Sequence, residues 1–217
     1  ISLGLVGSEM CIRDRGKIAA AGLSPHLPQG AEVGVLGFAA DFFATNEREI
    51  AFIKWLQTNR SDVRVHVARF GRMDEAAKLG EALITTHPHL AGLFVVWDTP
   101  ALAVSARLAE LGHVLPLATV DLGEAAAIDI ARNGSVRCIA AQQPYQQGIA
   151  AAQTVILSLL TRPVPAWIAL PGISVTRGNV VESFQTIWRQ PAPKEVLRLL
   201  GLSKQAQNLF WGGLSPD

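Results

Sequence analysis

Strand-like and helix-like segments alternate along the chain from about residue 31 to residue 142. Short apolar runs such as EVGVLGFA at 32–39 are separated by amphipathic stretches of about ten to fifteen residues. Two parallel strands need a connection of that length, which usually contains a helix. The pattern therefore predicts an α/β fold, with a parallel sheet and helices on both of its faces.

The predicted elements follow in a regular order. Strands are predicted at 32–39, 63–70, 90–97, 115–121 and 135–142, and helices at 45–59, 74–88, 100–112, 124–133 and 144–163. Thr45 or Asn46 is the expected N-cap of the first of these helices. Its apolar side chains at helical spacing are Ile50, Phe52, Ile53 and Leu56. Extended segments around Pro171-Gly172 and a helix at 178–189 are predicted beyond a Pro-rich connection.

Composition excludes several classes of protein. Of the 217 residues, 49% are hydrophobic and 17% are charged, which suits a folded chain with a substantial core. The net charge is +1 and no basic run is present, so nucleic acid is not an expected partner. The chain contains no apolar stretch of about twenty residues, so no membrane-spanning helix is predicted. The two cysteines, Cys11 and Cys138, do not favour a disulfide framework or a thiolate metal site.

The first fifteen residues, ISLGLVGSEMCIRDR, differ in character from the rest of the chain. They have no initiator Met, no charged region ahead of the apolar part and no small-residue cleavage site, so they do not predict a signal peptide. The string resembles a translated sequencing adapter of the kind found at the ends of assembled reading frames. Residues 1–15 are therefore interpreted as non-native sequence. The alternative is an ordinary strand and loop.

Polar and aromatic residues follow the predicted strands, where ligands bind in sheets of this type. They lie at 42–48, at Phe70, at Trp97-Asp98, at Asp121 and at Gln142-Gln143. Carboxylates accept hydrogen bonds from hydroxyl groups, guanidinium groups donate to them and amides do both. Aromatic faces pack against C–H groups. Together these residues predict a pocket for a polyhydroxylated ligand.

The segment from about 31 to 189 resembles the C-terminal part of periplasmic sugar-binding proteins of the ribose-binding class, which serve ABC importers. The same architecture serves as the effector domain of lac-repressor-type regulators. The resemblance implies a ligand-binding lobe at 16–142, a crossover helix and closing strands shared with another lobe at 143–189, and a tail at 190–217. It also implies that the N-terminal lobe is largely missing. The motifs that carry it are NEREIAF, THPHLAGLFVVWD, ATVDLGEAAAIDIARNGSVRCIAAQQPYQQG and ISVTRGNV.

The resemblance also implies individual ligand contacts. Arg48 stands where the family has a sugar-binding arginine, four residues before Phe52, and Asp121 and Gln142 stand where it has an acidic and an amide contact. The family has an Asn-Asp pair at the position of Trp97-Asp98. Tryptophan removes an amide and adds a stacking face, which changes the hydroxyl pattern that the site can recognise. The full candidate set is Arg48, Trp97, Asp98, Asp121, Gln142, Phe70 and Phe43.

Each candidate also has a purely structural interpretation. Arg48 could form a surface ion pair with a neighbouring glutamate, and Asp98 and Asp121 could cap the helices that follow them. Gln142 could satisfy backbone groups where the chain crosses between lobes. The aromatic residues, Trp97, Phe70 and Phe43, could pack in the core.

As a whole, the resemblance implies the solute-binding component of an ABC-type sugar importer. Such a protein is periplasmic, binds a monosaccharide or polyol in a cleft between lobes, and docks on a membrane permease. It is not an enzyme and uses no cofactor. One alternative is the effector-binding domain of a lac-repressor-type transcriptional regulator.

A second alternative, a small α/β enzyme, has little support in the sequence. GVLGFAAD lacks the third glycine of a dinucleotide-binding loop, and no GxSxG motif is present. His87 and His89 flank Pro88 ahead of a predicted strand. Two histidines alone make a poor metal site, so they are interpreted as surface-loop residues.

Overall fold

The computed structural model describes residues 6–166 and 168–202, with side chains from residue 11 onward. The part of the predicted tail after residue 202 lies outside the described residues. The strands are β1 (Glu32–Phe38), β2 (Arg64–Phe70), β3 (Leu90–Val95), β4 (Leu117–Val120), β5 (Val136–Ala141) and β6 (Ile173–Val175). The helices are α1 (Val6–Leu23), α2 (Phe43–Asn59), α3 (Ala76–Thr86), α4 (Asp98–Glu110), α5 (Glu124–Ala131), α6 (Pro144–Leu159), α7 (Val180–Trp188) and α8 (Lys194–Leu199).

The strands form one sheet in the order β2-β1-β3-β4-β5-β6. The first five strands are parallel, and β6 pairs antiparallel with β5. Helices α1 and α2 contact each other, while α3, α4 and α5 form a second set of neighbours. This arrangement confirms the predicted α/β fold. Strands β3, β4 and β5 are almost continuously buried, as expected for parallel strands covered on both faces, whereas the edge strand β2 is largely exposed.

Helix α1 runs without a break across residue 15. The alternative considered for residues 1–15, an ordinary strand and loop, is therefore wrong for residues 6–15, which are helical. The helix lies close against α2: a Cβ at Gly16 would be 2.3 Å from the backbone oxygen of Arg48. A glycine at this position lets the two backbones approach.

Some predicted helix ends are wrong by a few residues. Helix α2 begins at Phe43 rather than after Thr45, and the Thr45 hydroxyl donates to the carbonyl of Phe42 at 3.0 Å from inside the first turn. Helix α4 begins at Asp98, ahead of Pro100. The segment predicted as one helix at 74–88 starts with a 3₁₀ turn.

The C-terminal elements pack on the same sheet and helices. Helix α7 contacts both α5 and α6, and α8 contacts α5 through buried residues Val196 and Leu197. Helix α6 differs from all of these, because none of its residues is fully buried. Within the described part of the chain, no helix has the length and apolar character needed to cross a membrane.

Candidate functional site

A cavity of about 680 Å³ lies beside the carboxyl end of the sheet. Its walls come from α1, from the start of α2, from the residue after β5, from α6 and from the connection after α6, which supplies Pro165, Ala166, Ile168 and Leu170. Ligands bind at this end of open parallel sheets. Its polar and aromatic lining residues are Arg15, Phe42, Arg48, Gln142, Gln147 and Thr154.

Arg48 joins the ends of two neighbouring strands. The side chain extends from α2, and its Nη1 donates to the carbonyl of Val96, just after β3, at 2.9 Å. The same nitrogen lies 3.3 Å from Oδ2 of Asp121, just after β4. Arg48 is only 7% exposed, so the surface ion pair considered for it is wrong. No residue in the described part of the chain accepts a hydrogen bond from its Nε.

Asp121 has an unusual backbone conformation. Its φ is 71°, in the left-handed region, which aspartate tolerates better than most residues. Oδ2 pairs with Arg48, whereas the buried Oδ1 has no hydrogen-bond partner among the described residues. Asp121 is not the cap of α5, because Gly123 occupies the N-cap position. Its carboxylate is therefore available for another hydrogen bond.

Asp98 does not cap α4, because it is the first residue of that helix and Trp97 occupies the N-cap position. Its carboxylate instead contacts the loop before α5. Its Oδ2 accepts a hydrogen bond from the backbone N–H of Gly123 at 2.9 Å. Burial raises the pKa of Asp98, and the nearby Asp121 carboxylate raises it further, while the Gly123 N–H opposes the rise. Asp98 thus holds the loop that carries Asp121.

Arg15 adds a second guanidinium group to the cavity wall. The residue is 5% exposed, and its Nε has no hydrogen-bond partner within the described residues. Burial lowers the pKa of Arg15, and the charge of Arg48 lowers it further. The two arginines and Asp121 thus form a cluster of charged groups next to the cavity.

The aromatic candidates separate into different positions. Trp97 is half-buried and makes edge contacts with Phe38 and Phe70, with ring centroids 5.4 and 5.2 Å away. Phe70 is fully buried beneath Trp97, as its structural interpretation expected. Phe43 is 42% exposed at the start of α2, and the preceding Phe42 lines the cavity instead.

The two glutamines after β5 have different environments. Gln142 lines the cavity and is half-buried. The Gln143 amide donates to the carbonyl of Pro171 at 2.9 Å, which fastens the start of α6 to the segment before β6. Gln142 therefore presents its amide to the cavity from a fixed crossover.

Three polar residues that line the cavity are not among the candidates that the sequence pattern indicates. Gln147 and Thr154 lie on α6, and Arg15 lies in the segment interpreted as non-native sequence. Phe42, by contrast, belongs to the 42–48 stretch that the pattern indicated. The repeated glutamines in QQPYQQG were the one available signal for Gln147. For Thr154 nothing in the pattern distinguishes it from other polar residues on an exposed helix.

The raised pKa of Asp98 gives a pH-dependent prediction. A carboxyl group whose pKa is higher in the folded state contributes its full stabilisation below the pKa of the unfolded state, near 4. That contribution is lost as the pH rises through the pKa of the folded state. We expect Asp98→Asn to gain stability relative to the unaltered protein between about pH 3.5 and pH 7. Asparagine can still accept the Gly123 hydrogen bond. Urea unfolding of both proteins at each pH measures the difference.

Asp74→Asn is the matched control. Hydrogen bonding to Arg72 lowers the pKa of this exposed carboxyl. A lowered pKa contributes stability above the unfolded value, so this variant is expected to lose relative stability over the same pH range. If the relative stability of both variants changed in the same direction as the pH rises, the raised pKa of Asp98 would be contradicted.

Several solved structures share this fold. An ABC transporter solute-binding protein from Agrobacterium vitis, bound with alpha-D-tagatopyranose, is 19% identical with a TM-score of 0.74 over 85% of this chain and 61% of its own. A periplasmic solute-binding protein from Actinobacillus succinogenes with bound D-allose is 16% identical, with a TM-score of 0.71 over 78% and 61%. One from Agrobacterium radiobacter, in complex with D-arabinose, is 18% identical, with a TM-score of 0.72 over 81% and 63%. The chain thus spans less than two thirds of the length of these proteins.

Sequence comparison gives the family. A search of curated protein sequences found no match. The family described as "Periplasmic binding protein domain" matches residues 13–160, which is more than half of the chain. This match includes α2 with Arg48, the end of β4 with Asp121, and α6. The chain belongs to the periplasmic binding protein domain family.

Proposed function

We propose that this protein is the solute-binding component of an ABC-type sugar importer and binds a monosaccharide or polyol in the cavity. The observation that carries the proposal is the pair of buried, unpartnered atoms, Arg48 Nε and Asp121 Oδ1. Buried polar atoms nearly always have a partner, and each one left without costs about 1–3 kcal/mol. A sugar hydroxyl both donates and accepts, so hydroxyl groups of one ligand can satisfy both atoms.

The proposed roles combine Arg48 and Gln142, which line the cavity, with candidates at neighbouring strand ends that are outside its lining. Arg48 donates from Nε, Asp121 accepts at Oδ1, and the Gln142 amide does either. Trp97 packs against the C–H face of the ring, with Phe70 as its support rather than as a ligand contact. Asp98 holds the loop of Asp121 and contributes a further acceptor, and Phe43 is a contact at the rim beside Phe42.

Helix α6 supports the proposal of a second lobe. Although rich in apolar residues, the helix leaves them exposed; Leu159 is 79% exposed and Leu160, directly after it, 64%. A contiguous apolar surface of this kind marks a binding surface. We propose that the other lobe of a two-lobed protein covers α6 and supplies the opposing wall of the cleft. Two lobes of this kind close by a hinge motion around the ligand.

The family and the relatives support the proposed cellular role. The family is one of binding proteins, and the three sugar-bound structures belong to transporters. These descriptions support an importer over a transcriptional regulator. In this proposal the protein is periplasmic, its closed form docks on a membrane permease, and no bond of the sugar is broken.

Sugar binding by the 217-residue chain can be measured by NMR titration with D-tagatose, D-allose and D-arabinose. We expect affinity on the order of millimolar, because one wall of the cleft supplies only part of the hydrogen bonds. The perturbed resonances should be those of Arg48, Asp121, Gln142 and the Trp97 indole. Gln142→Ala should weaken binding about five- to tenfold through the loss of about one hydrogen bond.

Gln153→Ala is the matched control, since Gln153 is an exposed glutamine on α6 outside the cavity wall. It is expected to leave the affinity unchanged. Absence of perturbation by all three sugars, or saturable perturbation confined to α3 and α4, would contradict the proposal. Micromolar affinity would instead show that a second lobe is not needed.

A further inference from the structure

A second cluster of chemically active side chains lies at the opposite end of the sheet from the cavity. Glu32 is the first residue of β1, His66 is the third residue of β2, and His87 follows the last residue of α3. The amino ends of the strands meet there, whereas the cavity lies beside the carboxyl ends. The cluster is thus separate from the proposed sugar site.

The three side chains lie within reach of one ion. Nε2 of His66 is 3.1 Å from Oε2 of Glu32, and the rings of His66 and His87 stack with centroids 3.6 Å apart. One ligand atom from each residue can be chosen so that all lie within 4.8 Å of one another. Ligands bound to one ion at about 2.0–2.2 Å are themselves roughly 3.3 Å apart in a tetrahedral site. Binding of one ion by all three would require the His87 ring to rotate out of the stack until the donors reach that spacing.

We propose that Glu32, His66 and His87 form a binding site for Zn²⁺. Two imidazole nitrogens and one carboxylate oxygen are a ligand set that zinc uses in proteins, with a fourth position open to water. The side chains of His66 and Glu32 are 24% and 15% exposed, so the site is reachable and yet partly enclosed.

The surrounding structure holds the ligands in place. Arg64 Nη2 binds the other carboxylate oxygen of Glu32, Oε1, at 3.0 Å, which orients the carboxylate and leaves Oε2 toward the histidines. The Arg64 side chain is 72% exposed, so solvent screens its charge from a bound cation. The backbone of His87 is fixed at both ends, because its N–H donates to Leu83 and its carbonyl accepts from Leu90.

The site also has a structural consequence. Glu32 belongs to β1, His66 to the edge strand β2, and His87 to the turn between α3 and β3. An ion bound by all three would tie the exposed edge strand to the interior of the sheet. His89, which the sequence places beside His87, is exposed and does not belong to the cluster.

Zinc binding is tested by calorimetric titration of the chelator-treated 217-residue chain with Zn²⁺. We expect one ion per chain and a Kd on the order of micromolar, as befits three protein ligands at a partly open site. His66→Ala and His87→Ala should each weaken binding at least tenfold. Glu32→Gln, which keeps the shape of the side chain, should also weaken it about tenfold. Zn²⁺ should raise the melting temperature of the unaltered protein and not that of His87→Ala.

His89→Ala is the matched control and is expected to bind zinc as the unaltered protein does. Circular dichroism establishes that each variant is folded. Absence of stoichiometric binding would overturn the proposal, as would equal affinity in His66→Ala, His87→Ala and the unaltered protein. Loss of binding in His89→Ala alone would assign the ion to the surface loop instead.

Discussion

Replacement of Arg48 by alanine is expected to lower the free energy of unfolding by about 2–4 kcal/mol. The guanidinium group is buried, donates to the carbonyl of Val96 and pairs with Asp121. Removing one partner of a buried ion pair leaves the other charge without compensation, which costs about 3–5 kcal/mol in typical cases. Asp121 retains some contact with solvent and still interacts with the charge of Arg15, which places the expected value toward the lower end. Urea unfolding followed by circular dichroism measures the change.

Two further variants isolate the cause. Arg48→Lys keeps a positive charge but cannot reproduce the planar set of donors, so it should recover only part of the lost stability. Arg107→Ala removes an arginine that pairs near the surface with half-buried Glu81 and exposed Glu110, and should change stability little. If Arg48→Ala were as stable as Arg107→Ala, the buried pair would carry no stabilising interaction.

The fold could be predicted because hydrophobic periodicity is local. The alternation of apolar runs and amphipathic stretches gave five parallel strands and their helices, and the structure has each of them. Register and sheet order are non-local, and periodicity contains no information about the antiparallel pairing of β6 with β5. Helix starts were the least accurate: Thr45, expected as the N-cap of α2, instead donates to the Phe42 carbonyl from inside the first turn.

The candidate site was predicted less completely, because charge burial depends on partners distant in sequence. The sequence indicates that Arg48, Asp121 and Gln142 follow strand ends, and they are near the cavity or one another in the structure. The sequence does not indicate that Glu49 is buried. Its ion-pair partner, Arg69, is twenty residues away near the end of β2, so the pair forms only in the folded protein. The proposed zinc site also depends on residues distant in sequence, since His66 and His87 come together only when β2 and α3 pack.

Phe52→Ala is expected to have the largest effect on stability, lowering the free energy of unfolding by about 3–5 kcal/mol. Phe52 is fully buried in α2, and its ring stacks on Phe94 of β3 with centroids 4.2 Å apart and planes 8° from parallel. Truncation removes both the buried apolar area and the ring contact, and leaves a cavity between helix and sheet that the surrounding chain can fill only in part. Differential scanning calorimetry and urea unfolding measure the loss.

Phe43→Ala, in the same helix, is the matched control. Phe43 is 42% exposed, so its truncation should change the free energy of unfolding by no more than about 0.5 kcal/mol. Phe52→Leu should fall between the two, because leucine refills most of the volume and loses the ring contact. If Phe52→Ala lowered the free energy of unfolding no more than Phe43→Ala does, the Phe52 ring would not anchor α2 to the sheet. Arg48 lies one turn before Phe52 on the same helix, so that anchor also sets where its guanidinium group meets Val96 and Asp121.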